Sequence, residues 1–232
     1  MTNSSSISTI IDLRSRRRSK MNKTELIFIL DRSGSMAGLE SDTIGGFNAT
    51  IKDQKEIEGE TRVTTILFDN FFEVLHDRID LQDILPLTNK EYFVRGSTAL
   101  YDAVALGINK ILNVQRQTKA ESRADKVIMV ITTDGYENAS RETSGKMLHK
   151  MIEDCKEKGW EFLFLGADID AQAVAESIGI DRRRSSNFVK DSIGVGVQFS
   201  SLNQVIRSMR NGEEVGEEWK ADLDEDLKRA KK

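Results

Sequence analysis

The sequence predicts an α/β domain, an open and mostly parallel sheet with helices on both faces. Three observations predict it. Short apolar runs alternate along the chain with segments whose apolar residues recur at helical intervals. The runs are continuous rather than alternating, which is the pattern of strands buried on both faces. One run leads directly into turn residues and a second short run, the signature of an antiparallel hairpin.

Residues 25–30, Glu-Leu-Ile-Phe-Ile-Leu, form the first expected strand. The second runs from Arg62 to Phe68, Asp69-Asn70 turns the chain, and Phe71 to Leu75 returns. Val127 to Thr132, rich in β-branched residues, is a central strand; Glu161 to Leu165 is another, and Asn187 to Lys190 a weak last one. Helices are expected between them. One covers Leu39 to Ile57. A second carries Leu100, Val104, Leu106, Ile108, Ile111 and Leu112 on an amphipathic pattern. Ser144 to Lys158 stops at Gly159, Ala171 to Ile178 stops at Gly179, and Ser192 to Arg210 closes before Gly212.

The chain divides into a polar N-terminal stretch, 1–22, a folded domain, 23–211, and a charged C-terminal stretch, 212–232. The first carries the cluster Arg14, Arg16, Arg17, Arg18 and Lys20 and reads as a disordered basic tail, with an electrostatic arm as the alternative. In the last, Val215, Trp219, Leu223 and Leu227 recur every four residues. That spacing fits either an amphipathic helix docked on the domain or on a partner, or a charged tail.

At 232 residues, 38% hydrophobic and 31% charged, the chain suits one soluble domain with a sizeable core. A net charge of −4 exerts no global pull on nucleic acid or anionic membranes. No apolar run approaches the roughly 18–20 residues of a membrane span, and no secretory signal pattern is seen. The single cysteine, Cys155, excludes an intrachain disulfide, and the cytoplasm is the expected compartment.

The chemistry-bearing residues gather where strands are expected to end. The first strand runs into Asp31-Arg32-Ser33-Gly34-Ser35, and the central one into Thr133-Asp134-Gly135. Between them, Gly96-Ser97-Thr98-Ala99-Leu100 opens a helix. In an open α/β sheet the ligand crevice lies beyond the carboxyl ends of the strands. Asp31, Ser33, Ser35, Thr98 and Asp134 thus supply two carboxylates and three hydroxyls, all hard oxygen donors that suit Mg2+, Mn2+ or Ca2+. His76, His149 and Cys155 have no ligand spacing, which argues against zinc. Two carboxylates only balance a dication. If one or both act through water, the ion keeps enough positive charge to attract a carboxylate from outside.

The order Asp31-x-Ser33-x-Ser35, Thr98, Asp134-Gly135 resembles the metal-ion-dependent adhesion site of von Willebrand factor type A (vWA) domains. The likeness covers roughly residues 24–210. The runs Phe28-Ile29-Leu30-Asp31-Arg32-Ser33-Gly34-Ser35-Met36 and Gly96-Ser97-Thr98-Ala99-Leu100-Tyr101-Asp102-Ala103 are similar to small bacterial and phage members. The resemblance implies a Rossmann-like sheet with one antiparallel edge strand. It implies direct ligation of the metal, foremost Mg2+, by Ser33, Ser35 and Thr98, with Asp31 and Asp134 binding directly or through water. The partner it implies is another protein that offers an Asp or Glu to the ion, and some relatives serve ATP-driven complexes. No Gly-x-x-x-x-Gly-Lys-Ser/Thr loop occurs here, so any ATPase would be a different polypeptide.

Met36, Arg95, Tyr136 and Glu137 adjoin the motifs and are candidate rim residues for partner choice. Blander readings hold elsewhere. Asp102 sits at a helix start and reads as a dipole partner. Asp168 and Asp170 read as turn and cap residues, and Arg182-Arg183-Arg184 as a solvated loop. Gly194-Val195-Gly196 lacks the third glycine of a dinucleotide loop and follows the last strand instead of the first. The competing function is Mg2+-dependent phosphoryl transfer with Asp31 as nucleophile. It fits less well, because Ser33 stands where such phosphatases carry a second acid, and no lysine or histidine lies within these motifs to move a proton.

Overall fold

The computed structural model describes residues 22–231. All but the last residue of the basic N-terminal stretch 1–22 lies outside them. Six strands form one sheet: β1 (Lys23–Asp31), β2 (Glu60–Phe68), β3 (Phe72–Asp80), β4 (Lys126–Thr133), β5 (Glu161–Gly166) and β6 (Ser185–Asn187). Their order is β3-β2-β1-β4-β5-β6. Every pairing is parallel except β2 with β3, the expected hairpin at one edge. The architecture is a Rossmann-like α/β fold.

Six helices cover the sheet: α1 (Glu40–Lys55), α2 (Leu100–Gln117), α3 (Gly145–Lys156), α4 (Ala171–Ser177), α5 (Ser192–Asn211) and α6 (Ala221–Ala230). The period of two along β1 explains why both faces are needed. Leu26, Phe28 and Leu30 enter a core with Phe47 of α1, with Phe199 and Leu202 of α5, and with Trp219 and Leu223. Ile27 and Ile29 enter the opposite core with Leu100, Val104 and Ile108 of α2 and Leu148 and Ile152 of α3.

One expectation shifts, and one pair of alternatives is decided. The last strand occupies Ser185–Asn187 and ends before Lys190. Its serines are buried although they are polar, because Ser185 and Ser186 spend their hydroxyls on the carbonyls of Arg182 and Asn187. The C-terminal stretch folds as a docked helix. Leu223 is buried, and the Trp219 indole N–H donates to the Arg183 carbonyl at 2.9 Å.

The hairpin turn is also a fastening. Asp69 is fully buried, and its Oδ2 accepts from Arg32 Nε at 3.1 Å and Arg95 Nε at 2.7 Å. Its Oδ1 accepts the Phe71 N–H at 2.8 Å, and its backbone carbonyl accepts the Ala99 N–H at 2.8 Å. Arg32 is equally buried and reaches Glu73 at 2.8 Å, while the Phe93 ring lies 5.4 Å from the Arg32 guanidinium and 5.2 Å from that of Arg95. One carboxylate thus ties the β2–β3 turn to the loops carrying Ser33 and Thr98.

Two stability predictions follow from this packing. A Cβ added at Gly46 of α1 would lie 2.1 Å from the Phe199 ring of α5. In Gly46→Ala, helix propensity would contribute up to about 1 kcal/mol. Overpacking costs typically about 1–3 kcal/mol, so urea unfolding should show net destabilisation. Asp69→Ala leaves the Arg32 guanidinium without its buried carboxylate partner, only the half-exposed Glu73 remaining, and the loss should be about 3–5 kcal/mol, read as a lower urea midpoint.

Candidate functional site

β1 lies between β2 and β4, so the chain leaves it for one side of the sheet and returns on the other. The crevice at that switch point opens beyond the carboxyl ends of β1 and β4. Asp31 is the last residue of β1, and Asp134 directly follows β4. Both are buried, as are Ser33 and Thr98, whereas Ser35 is exposed.

Asp31 is held from two sides. Its Oδ1 accepts the Ser33 N–H at 2.6 Å and its Oδ2 accepts the Thr133 hydroxyl at 2.6 Å. Burial pushes its carboxyl up to about 6, these hydrogen bonds oppose the rise, and the charge on Asp134 adds to it. The Tyr92 hydroxyl, itself buried, donates to the Asp31 backbone carbonyl at 2.5 Å. Ser33 Oγ and Ser35 Oγ are 3.0 Å apart, and Ser35 Oγ donates to Asp134 Oδ1 at 2.5 Å. A Cβ at Gly135 would lie 3.3 Å from Thr98 Oγ1 and 3.6 Å from Ser35 Oγ, so these hydroxyls flank the glycine.

Backbone hydrogen bonds lace the loops together. Arg95 N–H donates to the Arg32 carbonyl at 2.8 Å and Gly34 N–H to that of Gly96 at 3.1 Å. Asn138 Oδ1 accepts the Thr98 N–H at 2.9 Å, and the Thr98 carbonyl accepts from Asn138 N at 3.0 Å and Ala139 N at 3.2 Å. Gly96 has φ +67°, where a side chain would be strained and would also strike Asn70.

The donor set fits a hard dication. Mg2+ takes oxygen donors in an octahedron at about 2.0–2.1 Å, which sets neighbouring donors about 3 Å apart. The Ser33 and Ser35 hydroxyls stand at that separation, 3.0 Å. Among the described residues no group of three or more His, Cys, Asp or Glu side chains converges as a metal cage. This cluster has two carboxylates, and its other donors are hydroxyls, so it differs in kind from such a cage.

The candidate rim residues divide. Tyr136 is exposed, and its hydroxyl accepts the Asp170 N–H at 3.2 Å. Arg95 is half exposed while bonded to Asp69. Met36, expected at the rim, is instead buried in the core that also holds Leu39 and Phe47, because the 3-10 turn after Ser33 directs it inward. Glu137 is committed to the fold: its carboxylate accepts the backbone N–H groups of Tyr101, Ala139 and Ser140 at 2.7–2.8 Å. Asp102 likewise accepts from Arg141, Glu142 and Thr143, and these donors hold its carboxyl below the usual range although burial pulls the other way.

Sequence reasoning missed Lys190. Its ammonium lies 2.9 Å from Asp134 Oδ2 and 3.4 Å from Asp168 Oδ2. The contact with Asp134 is an ion pair, and among the described residues no hydrogen bond reaches that buried oxygen. A signal existed, since Lys190 ends the last expected strand at the same carboxyl edge. Thr133 carried the same strand-end signal beside Asp134, whereas Tyr92 and Asn138 had none, because their roles depend on distant partners. Asp170 caps α4, and Arg182, Arg183 and Arg184 pair with Glu176, Asp181 and Glu161.

Solved structures share this fold. The vWF domain of the type V pili tip protein Mfa5 from Porphyromonas gingivalis aligns with a TM-score of 0.58 at 11% identity, over 85% of this chain and 98% of that one. Manganese-loaded TRAP protein from Plasmodium vivax aligns with a TM-score of 0.55 at 18% identity, over 77% and 73%. Proximal thread matrix protein 1 from the mussel byssus aligns with a TM-score of 0.53 at 10% identity, over 81% of this chain and 46% of that one. The chain thus spans about half of that protein. No curated protein sequence matches it. The family described as "VWA domain containing CoxE-like protein" matches residues 1–167. The chain belongs to this vWA-domain family.

Proposed function

We propose that this domain is a metal-dependent protein-interaction module. Asp31, Ser33, Ser35, Thr98 and Asp134 would hold Mg2+, with Mn2+ or Ca2+ as substitutes, and the ion would accept an Asp or Glu side chain from another protein. The observation that carries this reading is the composition of the cluster at the β1–β4 switch point, rich in hydroxyls and poor in carboxylates. vWA-domain proteins generally act in protein–protein interaction, and many bind a divalent metal; the manganese-loaded TRAP structure shares the fold.

The ion would supply an electrophilic centre for the incoming carboxylate. The protein's own part is to hold the hydroxyls in place and to keep the anionic charge low. Asp31 has both oxygens engaged, by Ser33 N–H and Thr133 Oγ1. It is therefore suited to act through water, with its charge felt by the ion. The same engagement weakens the alternative of Asp31 as a phosphoryl-accepting nucleophile, which needs an unencumbered oxygen beside a general acid.

The test compares wild type and Thr98→Ala. Changing a residue that only hydrogen-bonds a metal ligand typically costs about 10–100-fold in metal affinity. Loss of a ligand should therefore weaken Mg2+ binding by at least about tenfold in calorimetry, with the thermal unfolding of the metal-free proteins little changed. Partners captured on immobilised wild type in Mg2+ should be lost in EDTA and on Thr98→Ala. Equal retention in all arms would refute the metal-bridged reading, and phosphoester turnover abolished in Asp31→Ala would favour the enzyme.

A further inference from the structure

We propose that Lys190 is a tethered counter-cation that sets the charge of the metal site from outside the ligand set; the inference rests on the metal reading above. Lys190 lies in the loop between β6 and α5, two strands away from Asp134 in the sheet. Its ammonium nevertheless crosses that distance to stand 2.9 Å from Asp134 Oδ2. The Asp134 side chain is fully buried, whereas that of Lys190 is 27% exposed. Among the described residues, no other cation pairs with Asp134. The oxygen facing Lys190 is not the one that accepts from Ser35, which is Oδ1. One carboxylate is thus shared, with Oδ1 turned toward the hydroxyl cluster and Oδ2 toward the lysine.

The charge balance gives the consequence. Asp31 and Asp134 together carry −2 when ionised, and a dication would neutralise them. Counting Lys190 with the two ligand carboxylates gives −1, so the same dication leaves +1 on that set; the exposed Asp168, outside the set, is screened by solvent. The lysine therefore acts in two directions. It repels the incoming ion and lowers metal affinity. It also leaves the loaded site with the residual positive charge that an acidic partner side chain neutralises. Asp168, on the far side of Lys190 at 3.4 Å and 64% exposed, holds the ammonium in place without belonging to the cluster. A groove of about 500 Å3 lined by Tyr136, Asp168, Phe188, Val189, Lys190 and Leu227 opens beside the ammonium.

The experiment is Mn2+ titration of the full chain by calorimetry, with Lys190→Met, Lys190→Gln and Lys190→Arg beside wild type, and thermal unfolding without metal as the folding control. Removing one positive charge close to the ion should tighten Mn2+ binding by about tenfold. That gain is expected in both neutral variants, while Lys190→Arg stays near wild type. Gln keeps a donor for Asp134, so it reports on charge even if the Met variant fails to fold. A lysine that merely props the loop predicts the opposite, weaker Mn2+ binding in both neutral variants. Unchanged or weaker binding in Lys190→Gln, with wild type binding Mn2+, overturns the role of Lys190 and leaves the metal reading standing. Absence of Mn2+ binding in all four proteins overturns both.

Discussion

Asp31 ends a strand enclosed on both faces, and its carboxylate is buried there. Burying a charge is costly unless hydrogen bonds compensate. The compensation comes from one neighbour in sequence, the Ser33 N–H, and from one across the sheet, the Thr133 hydroxyl. That second bond joins the ends of β1 and β4, and with them the loops that carry Ser33, Ser35 and Asp134. The arrangement of the cluster depends on this bond because the parallel pairing of β1 with β4 stops at Leu30 and Thr132.

A second buried carboxylate performs a similar service from the other side. Asp69 gathers Arg32, Arg95 and the backbone of Ala99 around the hairpin turn. The edge strand β3 therefore does more than terminate the sheet, since its turn anchors the segment leading into Thr98. Glu137 and Asp102 then satisfy backbone N–H groups around the start of α2. Acidic residues at this edge thus divide into those that build loops and those left facing the hydroxyl cluster. Sequence proximity does not separate the two groups. Glu137 lies three residues from Asp134 and belongs to the builders.

Much of the fold was legible because burial writes itself into residue type. A strand covered on both faces is apolar through its centre, as β1 is over Leu26–Leu30 and β4 over Val127–Ile131, and the Asp69-Asn70 turn announces its hairpin. β6 was less legible, since its paired residues are serines whose hydroxyls find carbonyls nearby. The cluster was legible as a set of residue types at strand ends. Met36 was misjudged for the converse reason: adjacency to a motif along the chain says nothing of the direction a side chain takes from a 3-10 turn.

The sequence by itself determined the alternation of strands and helices, the placement of Asp31, Ser33, Ser35 and Asp134 at strand ends and of Thr98 at a helix start, and the likeness to vWA domains. These are local matters, set by runs and spacings within a few residues. Only the tertiary structure decided that Thr133 bonds Asp31, that Asn138 clasps Thr98, and that Lys190 reaches Asp134. Each of these joins residues at least 40 positions apart. Such contacts exist only once strand order has brought the chain ends of β1, β4 and β6 to one edge, and strand order is a property of the packed sheet that no local pattern records.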